Sequence, residues 1–586
     1  MKQTTTEIRE NLLAQLDWQA ATRDDEGVAQ RLYAGEKADG VHTLDEAGLL
    51  DEFFAFLSES QVMPYWQQYE ISAIQRVFVP TLYFLLLYGS RILFGIESMN
   101  ALPVLLFSNV AVMTLIGFNL RFVQEGLSKR GASQRRNARA YVLMDAQTLA
   151  ETICKSSLAE LEKLFNGTIH GLAQYGIFLA EMMVALDGTR IVTTTHFEGC
   201  GCQKVSEWKS DRKGLKVEVL KLVYGWRLIA LIDLTTLIPL ALKIVQIQEH
   251  ESPYLLELVK QAQTNLAPHS RIVTLVADRA YVDGQDLYQL DQMNIRFVVI
   301  AKTNMAAYGT ALCKSVETAA YVERSETRWR GQGRDQVPET LRTRLQTVTD
   351  IRTWESYRPP PVAGEQLRFA DRPALQAVIV RIWQNHELDT PRIFLTNQAV
   401  DNPWLIFDLY DDRSWIENGL FRNSKQFWQL TRWFPKRNQA GVHTHLTFVM
   451  LITAVATAFR LWKKANVQED SPADSPQRTF AFHSFPPATA PLAPPQAPPT
   501  PTHLAAAAPE AQPPLYSHQL LRGIGPSRWR QELARSNRDK LIVFFANTYG
   551  IFDLPVFLTL TRVPFHLPPD YDSPQAILAR FAIQLE

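Results

Sequence analysis

The chain has 586 residues, 46% apolar and 20% charged, which excludes a wholly disordered, collagenous or coiled-coil protein and suits roughly three or four domains. Lys and Arg number 60 and Asp and Glu 60, for a formal charge of zero that hides local asymmetry. Residues 1–60 carry 5 Lys/Arg against 13 Asp/Glu, whereas 421–464 carry 8 Lys/Arg and no acid, a segment that suits a polyanion or a solvated face. The start, MKQTTTEIREN, is too polar for a signal peptide. The run from Val77 to Tyr88 is broken by Pro80 and falls short of the about 20 apolar residues of a bilayer span, so it reads as a core helix. Four cysteines (Cys154, Cys200, Cys202, Cys313) call for no disulfide framework, and a cytoplasmic protein without a membrane partner is expected.

Residues 1–140 have helical spacing and read as a helical N-terminal region. It ends in a basic stretch, 121–140, with six Lys/Arg against one Glu: a solvated helix–loop or an arm facing a polyanion. From 180 onward, MMVALDGTRIV (182–192), WRLIALIDL (226–234) and IPLALKIVQI (238–247) read as three strands in succession. SPYLLELVKQAQTNL (252–266) reads as a helix with Ser252 as N-cap and Pro253 at its first position. RIVTLVADRAY (271–281) is a strand, GQDLYQLDQMN (284–294) a helix and IRFVVIAK (295–302) a strand. That order suits a mixed sheet with helices packed on it. Between Ser471 and Pro514 lie 13 prolines in 44 residues, so 467–515 reads as a disordered Pro/Ala-rich linker and 516–586 as a small C-terminal module.

Asp187 and Asp278 each close an apolar strand. One strand-end Asp commonly caps the next helix. Two on neighbouring strands present hard oxygens suited to Mg²⁺, and a metal pair can drive phosphodiester displacement. A third carboxylate is available in IFDLYDDRSWIENGLFRNSKQFWQL (406–430). On an ideal helix Arg413, Glu417 and Lys425 fall within roughly 60° of Tyr410, as a functional face or as a plain ion-pair stripe.

ALDGT, VADRAYVDG and YDDRSWIENGLFRNSK together resemble the three blocks of insertion-sequence transposases with a DDE catalytic triad on an RNase H-like fold. The third block resembles their Y-(2)-R-(3)-E-(6)-K signature. Tyr410, Arg413 and Glu417 match in place; position 424 is Ser, and Lys425 lies one residue late. The resemblance covers roughly 180–465. It implies that Asp187, Asp278 and Glu417 are catalytic and bind Mg²⁺ or Mn²⁺, and that Tyr410, Arg413 and Lys425 contact DNA. It also implies transposon ends and target DNA as partners, and a homodimer to pair two ends. The expected fold is α/β: an RNase H-like mixed sheet with helices on both faces, its core at 141–302 and 391–466, interrupted by a β-rich insertion at 303–390. The 1–140 region becomes a candidate DNA-binding region.

The function so implied is binding of terminal inverted repeats with metal-dependent strand cleavage and transfer. One alternative is a catalytically inactive, transposase-derived DNA-binding protein. A haloacid-dehalogenase-like phosphatase ranks far behind, because Thr189 stands where that chemistry wants a second Asp. Trp329 and Trp354, in the insertion, are either base-stacking or core residues. His196, Cys200 and Cys202 lack an evident fourth metal ligand. LLRGIGPSRWRQELARSNRDK (520–540) has the turn and charge of a short DNA-binding hairpin.

Overall fold

A computed structural model describes residues 18–584 apart from 45–46, 75–78, 127–142, 211–215, 319, 331–336, 361–367, 385–386, 470–515, 522–524 and 534–536. Most of the Pro/Ala-rich stretch and of the basic stretch after 126 thus lie outside the described residues. The chain divides into two compact units, Met1–Gly171 with Phe427–Glu586, and Leu172–Gln426. The boundaries expected at 140 and 466 therefore fall elsewhere. The long helix Gln439–Glu469 belongs to the first unit. Val449, Ala454 and Leu461 on it are fully buried, because it is apolar nearly all round.

The first unit corrects two expectations. Residues 1–140 are not purely helical, since Thr22–Arg23 and Gly40–Leu44 are strands. Nor does 516–586 form a module of its own. Its hairpin, Asn537–Phe545 with Thr548–Asp553, sits inside a four-stranded sheet, pairing in parallel with Thr22–Arg23 on one side and antiparallel with Gly40–Leu44 on the other. A lone two-stranded hairpin is marginal in water, and the N-terminal strands supply the missing partners. Arg530 fastens the same segment to the helix Thr81–Leu93, donating from Nε to Leu93 O at 3.0 Å and from a terminal nitrogen to Phe427 O. That helix, which begins after Pro80, is the expected core helix and is buried along its length from Phe84 to Leu93.

Among its described residues the second unit holds eleven strands: β1 Glu181–Thr193, β2 Gly201–Ser210, β3 Lys216–Asp233, β4 Pro239–Gln246, β5 Arg271–Ala277, β6 Arg296–Ile300, β7 Val322–Arg330, β8 Val337–Ile351, β9 Leu375–Gln384, β10 Glu387–Leu388 and β11 Arg392–Thr396. They form one sheet in the order β2-β3-β1-β5-β6-β11-β9-β8-β7, with β4 on β3 and β10 on β9. β1, β5 and β6 run parallel, and β3 runs antiparallel to β1. The succession β4-β3-β1-β5-β6, with its one antiparallel member beside β1, is the RNase H-like arrangement. The helices are α1 Leu255–Leu266, α2 Gly284–Gln292, α3 Ala306–Glu317, α4 Pro403–Asp412 and α5 Arg422–Gln426, with a π turn over Ile416–Phe421.

Central strands are buried on both faces, which is why they read as unbroken apolar runs: Val184 to Leu186 and Leu275 to Ala277 are all fully buried. Three details differ from expectation. There are four strands before α1 rather than three. β2 (GCQKVSEWKS) is polar, and the outer half of β3 leaves Leu220 and Leu222 exposed, so neither reads as an apolar or alternating run in the sequence. Ser252 is not the N-cap: residues Ser252–Tyr254 form a 3₁₀ turn that starts from Glu251. Finally, the strands of 303–390 continue the core sheet edge to edge, since β9 pairs with β11 and β11 with β6. Ile406 of α4 closes that junction by packing with Val298, Val378, Val380 and Phe394.

Candidate active site

Leu186 on β1 pairs with Ala277 on β5, so Asp187 and Asp278 follow at one level at the ends of neighbouring parallel segments. Only the parallel β1–β5 ladder stops there: β1 runs on along β3 to Thr193, so Asp187, expected to close its strand, lies in mid-strand and faces the gap left where β5 ends. Asp187 is 8% exposed, and its Oδ1 accepts from Gly188 N–H at 2.8 Å. Its Oδ2 accepts from the Arg413 guanidinium at 2.8 Å. Asp278 accepts from Arg279 N–H at 2.6 Å and from the Tyr410 hydroxyl at 3.4 Å. Tyr410 stacks on Phe394, with ring centroids 4.6 Å apart, which aims its hydroxyl across the sheet end.

Burial raises Asp187 to a pKa of about 7; Arg413 and the Gly188 N–H oppose the rise, while Glu251 and Glu417 add to it. Burial first, then Asp278, lifts Tyr410 to about 12. Burial alone would lower Arg413, yet Asp187, Tyr410, Asp278 and Glu417 hold it above the ordinary arginine value. The two aspartates thus form a crowded negative site with Arg413 as countercharge.

Lys425 explains its own displacement. The Arg422 N–H bonds to Glu417 O, five residues back, so the segment after the glutamate is a π turn. Such a turn uses one more residue than an α turn and occurs often at functional sites. It therefore absorbs the extra residue between Glu417 and the lysine. Ser424, where the signature expects Lys, is fully buried, and an ammonium there would lose its water. Lys425 instead donates from Nζ to Thr189 Oγ1 at 2.6 Å, two residues beyond Asp187 on β1. Burial lowers its pKa, with Glu417 opposing.

Asp187, Asp278, Tyr410 and Arg413 are therefore brought together, and Lys425 reaches the same strand. Glu417 is exposed and close enough to influence Asp187, Arg413 and Lys425. Among the described residues no three His, Cys, Asp or Glu side chains converge as a metal cluster, His196, Cys200 and Cys202 included. The donor chemistry of the aspartate pair nevertheless fits a hard dication: its oxygens only accept when ionised, and its negative charge exceeds what Arg413 offsets. Trp354 is 9% exposed and stacks on Tyr357 as a core residue. The Trp329 side chain lies outside the described residues. Glu251 and Arg227 belong to no sequence motif, and the one sequence signal for them is a charged residue, Arg227, inside an apolar strand.

The fold and site are thus a mixed α/β sheet with an acidic pair on neighbouring parallel strands. Residues 180–455 match the family model described as Transposase DDE domain. A solved structure, the cryo-EM structure of piggyBac transposase synaptic complex with hairpin DNA, is similar at 12% identity and a TM-score of 0.28, over 79% of this chain and 86% of that one. A comparison with curated proteins gives no match.

Proposed function

We propose that the protein is a transposase that binds the terminal inverted repeats of an insertion sequence and catalyses divalent-metal-dependent DNA cleavage and strand transfer. The observation that carries this reading is the register of Asp187 and Asp278, each held by a residue of one helical segment, Arg413 and Tyr410. Asp187 and Asp278, joined by Glu417, would hold Mg²⁺ or Mn²⁺. Such ions lower the pKa of an attacking water or 3′-hydroxyl and stabilise the leaving oxygen. Tyr410 orients Asp278 through its hydroxyl. Arg413 neutralises Asp187 in the resting site and, once released, offers a planar fork to a DNA phosphate. Lys425 presents a point charge beside it. The partners are transposon ends and target DNA, a homodimer pairs the two ends, and the protein acts in the cytoplasm.

The direct test is cleavage of DNA bearing the element's own ends. Activity is expected with Mg²⁺ or Mn²⁺ and none in EDTA; cleavage that persists in chelator sinks the mechanism. A second expectation concerns Lys425. Its replacement by Ala should weaken end binding and lower the slope of log affinity against log salt by about one phosphate contact. Superimposable salt series for wild type and Lys425→Ala would remove it from the DNA surface.

A further inference from the structure

Beside the aspartate pair lies a carboxylate that belongs to none of the three sequence blocks. Glu251 sits where β4 gives way to the turn before α1. Its Oε1 accepts from Arg227 of β3 at 2.7 Å, and its Oε2 accepts from the Tyr281 hydroxyl at 2.7 Å. Tyr281 is fully buried, three residues after Asp278, and Arg227 is 8% exposed. The third side of the carboxylate is backbone. A Cβ built on Gly188, the residue after Asp187, would lie 2.6 Å from the Glu251 carboxyl carbon. Only a glycine lets the carboxylate lie that close to β1.

We propose that Glu251 is a positioning residue for the aspartate pair, binding the Asp187 strand, its neighbour β3 and the turn after Asp278 into one rigid acidic corner. The inference rests on the metal-dependent reading above. Two physical effects support it. Glu251 fixes the spacing between the elements that carry Asp187 and Asp278, and ligand geometry for a dication tolerates little looseness. It also neutralises Arg227, whose buried guanidinium would otherwise repel a cation arriving at Asp187. Its own charge bears on Asp187 directly.

The test is Mn²⁺ affinity of the full-length protein without DNA, read by electron paramagnetic resonance, with thermal unfolding in parallel. Glu251→Gln keeps the size and an accepting oxygen but removes the charge. It should bind Mn²⁺ about tenfold or more weakly, and its melting temperature should fall because Arg227 loses its countercharge. Gly188→Ala leaves the charge intact and pushes the carboxylate away; it should weaken Mn²⁺ binding as well, and the double variant should be little worse than the weaker single one. Gly188→Ala decides the matter should Glu251→Gln fail to fold. Asp187→Asn is the reference. If it lowers affinity while Glu251→Gln and Gly188→Ala stay within twofold of wild type, the role of Glu251 is overturned and the metal reading stands. If Asp187→Asn and Asp278→Asn also leave Mn²⁺ binding unchanged, both fall.

Discussion

Asp187→Asn, Asp278→Asn and Glu417→Gln should each lower strand cleavage by at least about a thousandfold while leaving end binding within a few-fold of wild type. Each substitution nearly conserves volume, so packing is kept while one unit of negative charge is lost at the site. The three effects should differ in kind. Asn at 187 also strips Arg413 of its charged partner, at 2.8 Å and largely buried. That guanidinium is then free for phosphate, and end binding by Asp187→Asn should be equal to wild type or tighter. Asp278→Asn leaves the Tyr410 hydroxyl with an amide oxygen to donate to, so its binding should not change. Glu417 is exposed, and its loss should cost cleavage with no change in thermal stability. Gel-shift affinity, cleavage rate and melting temperature on the same preparations check this. Full cleavage by any one variant removes that residue from the triad.

Removing residues 516–586 should unfold the first unit rather than trim an appendage. The segment contributes Val543, Phe552, Val556, Leu560, Ile577 and Leu578 to the core that also holds Val28, Ala29 and Leu32. Each large apolar side chain buried is worth about 1.5–3 kcal/mol, and six of them exceed half of a typical net stability of about 5–15 kcal/mol. The strands Thr22–Arg23 and Gly40–Leu44 would lose their only sheet partners among the described residues. The carbonyls at the end of the helix Thr81–Leu93 would lose Arg530. The expected result is loss of the cooperative transition of that unit in circular dichroism, restored when the missing segment is added back as a separate chain. A protease site engineered within 470–515 should, once cut, leave two fragments that co-elute in native buffer and part only in denaturant. A truncated chain that melts like the intact protein would contradict this architecture.

The amino-acid sequence by itself determined the two central strands and the acidic pair they carry. β1 and β5 are buried on both faces over Val184–Leu186 and Leu275–Ala277, so they read as apolar runs closed by an aspartate, although only Asp278 ends its strand and Asp187 lies in the middle of β1. Tyr410, Arg413 and Glu417 were legible for the same reason, because helical spacing over seven residues is a local property. What only the tertiary structure decided is non-local. The pairing of 537–553 with strands near residues 22 and 40 spans some five hundred residues and leaves no periodic trace in either partner. The joining of 303–390 to the core sheet depends on the β9–β11 and β11–β6 edges, which composition does not record. The lysine offset looked like a defect in the signature until the π turn accounted for the extra residue, and hydrogen-bond register is not written in residue types. Glu251 is the clearest case. It has no motif, and its place beside Asp187 follows from a missing Cβ at Gly188 and two donors, Arg227 and Tyr281, from separate elements. Local periodicity reports burial and helical face; it cannot report which distant groups complete a buried charge.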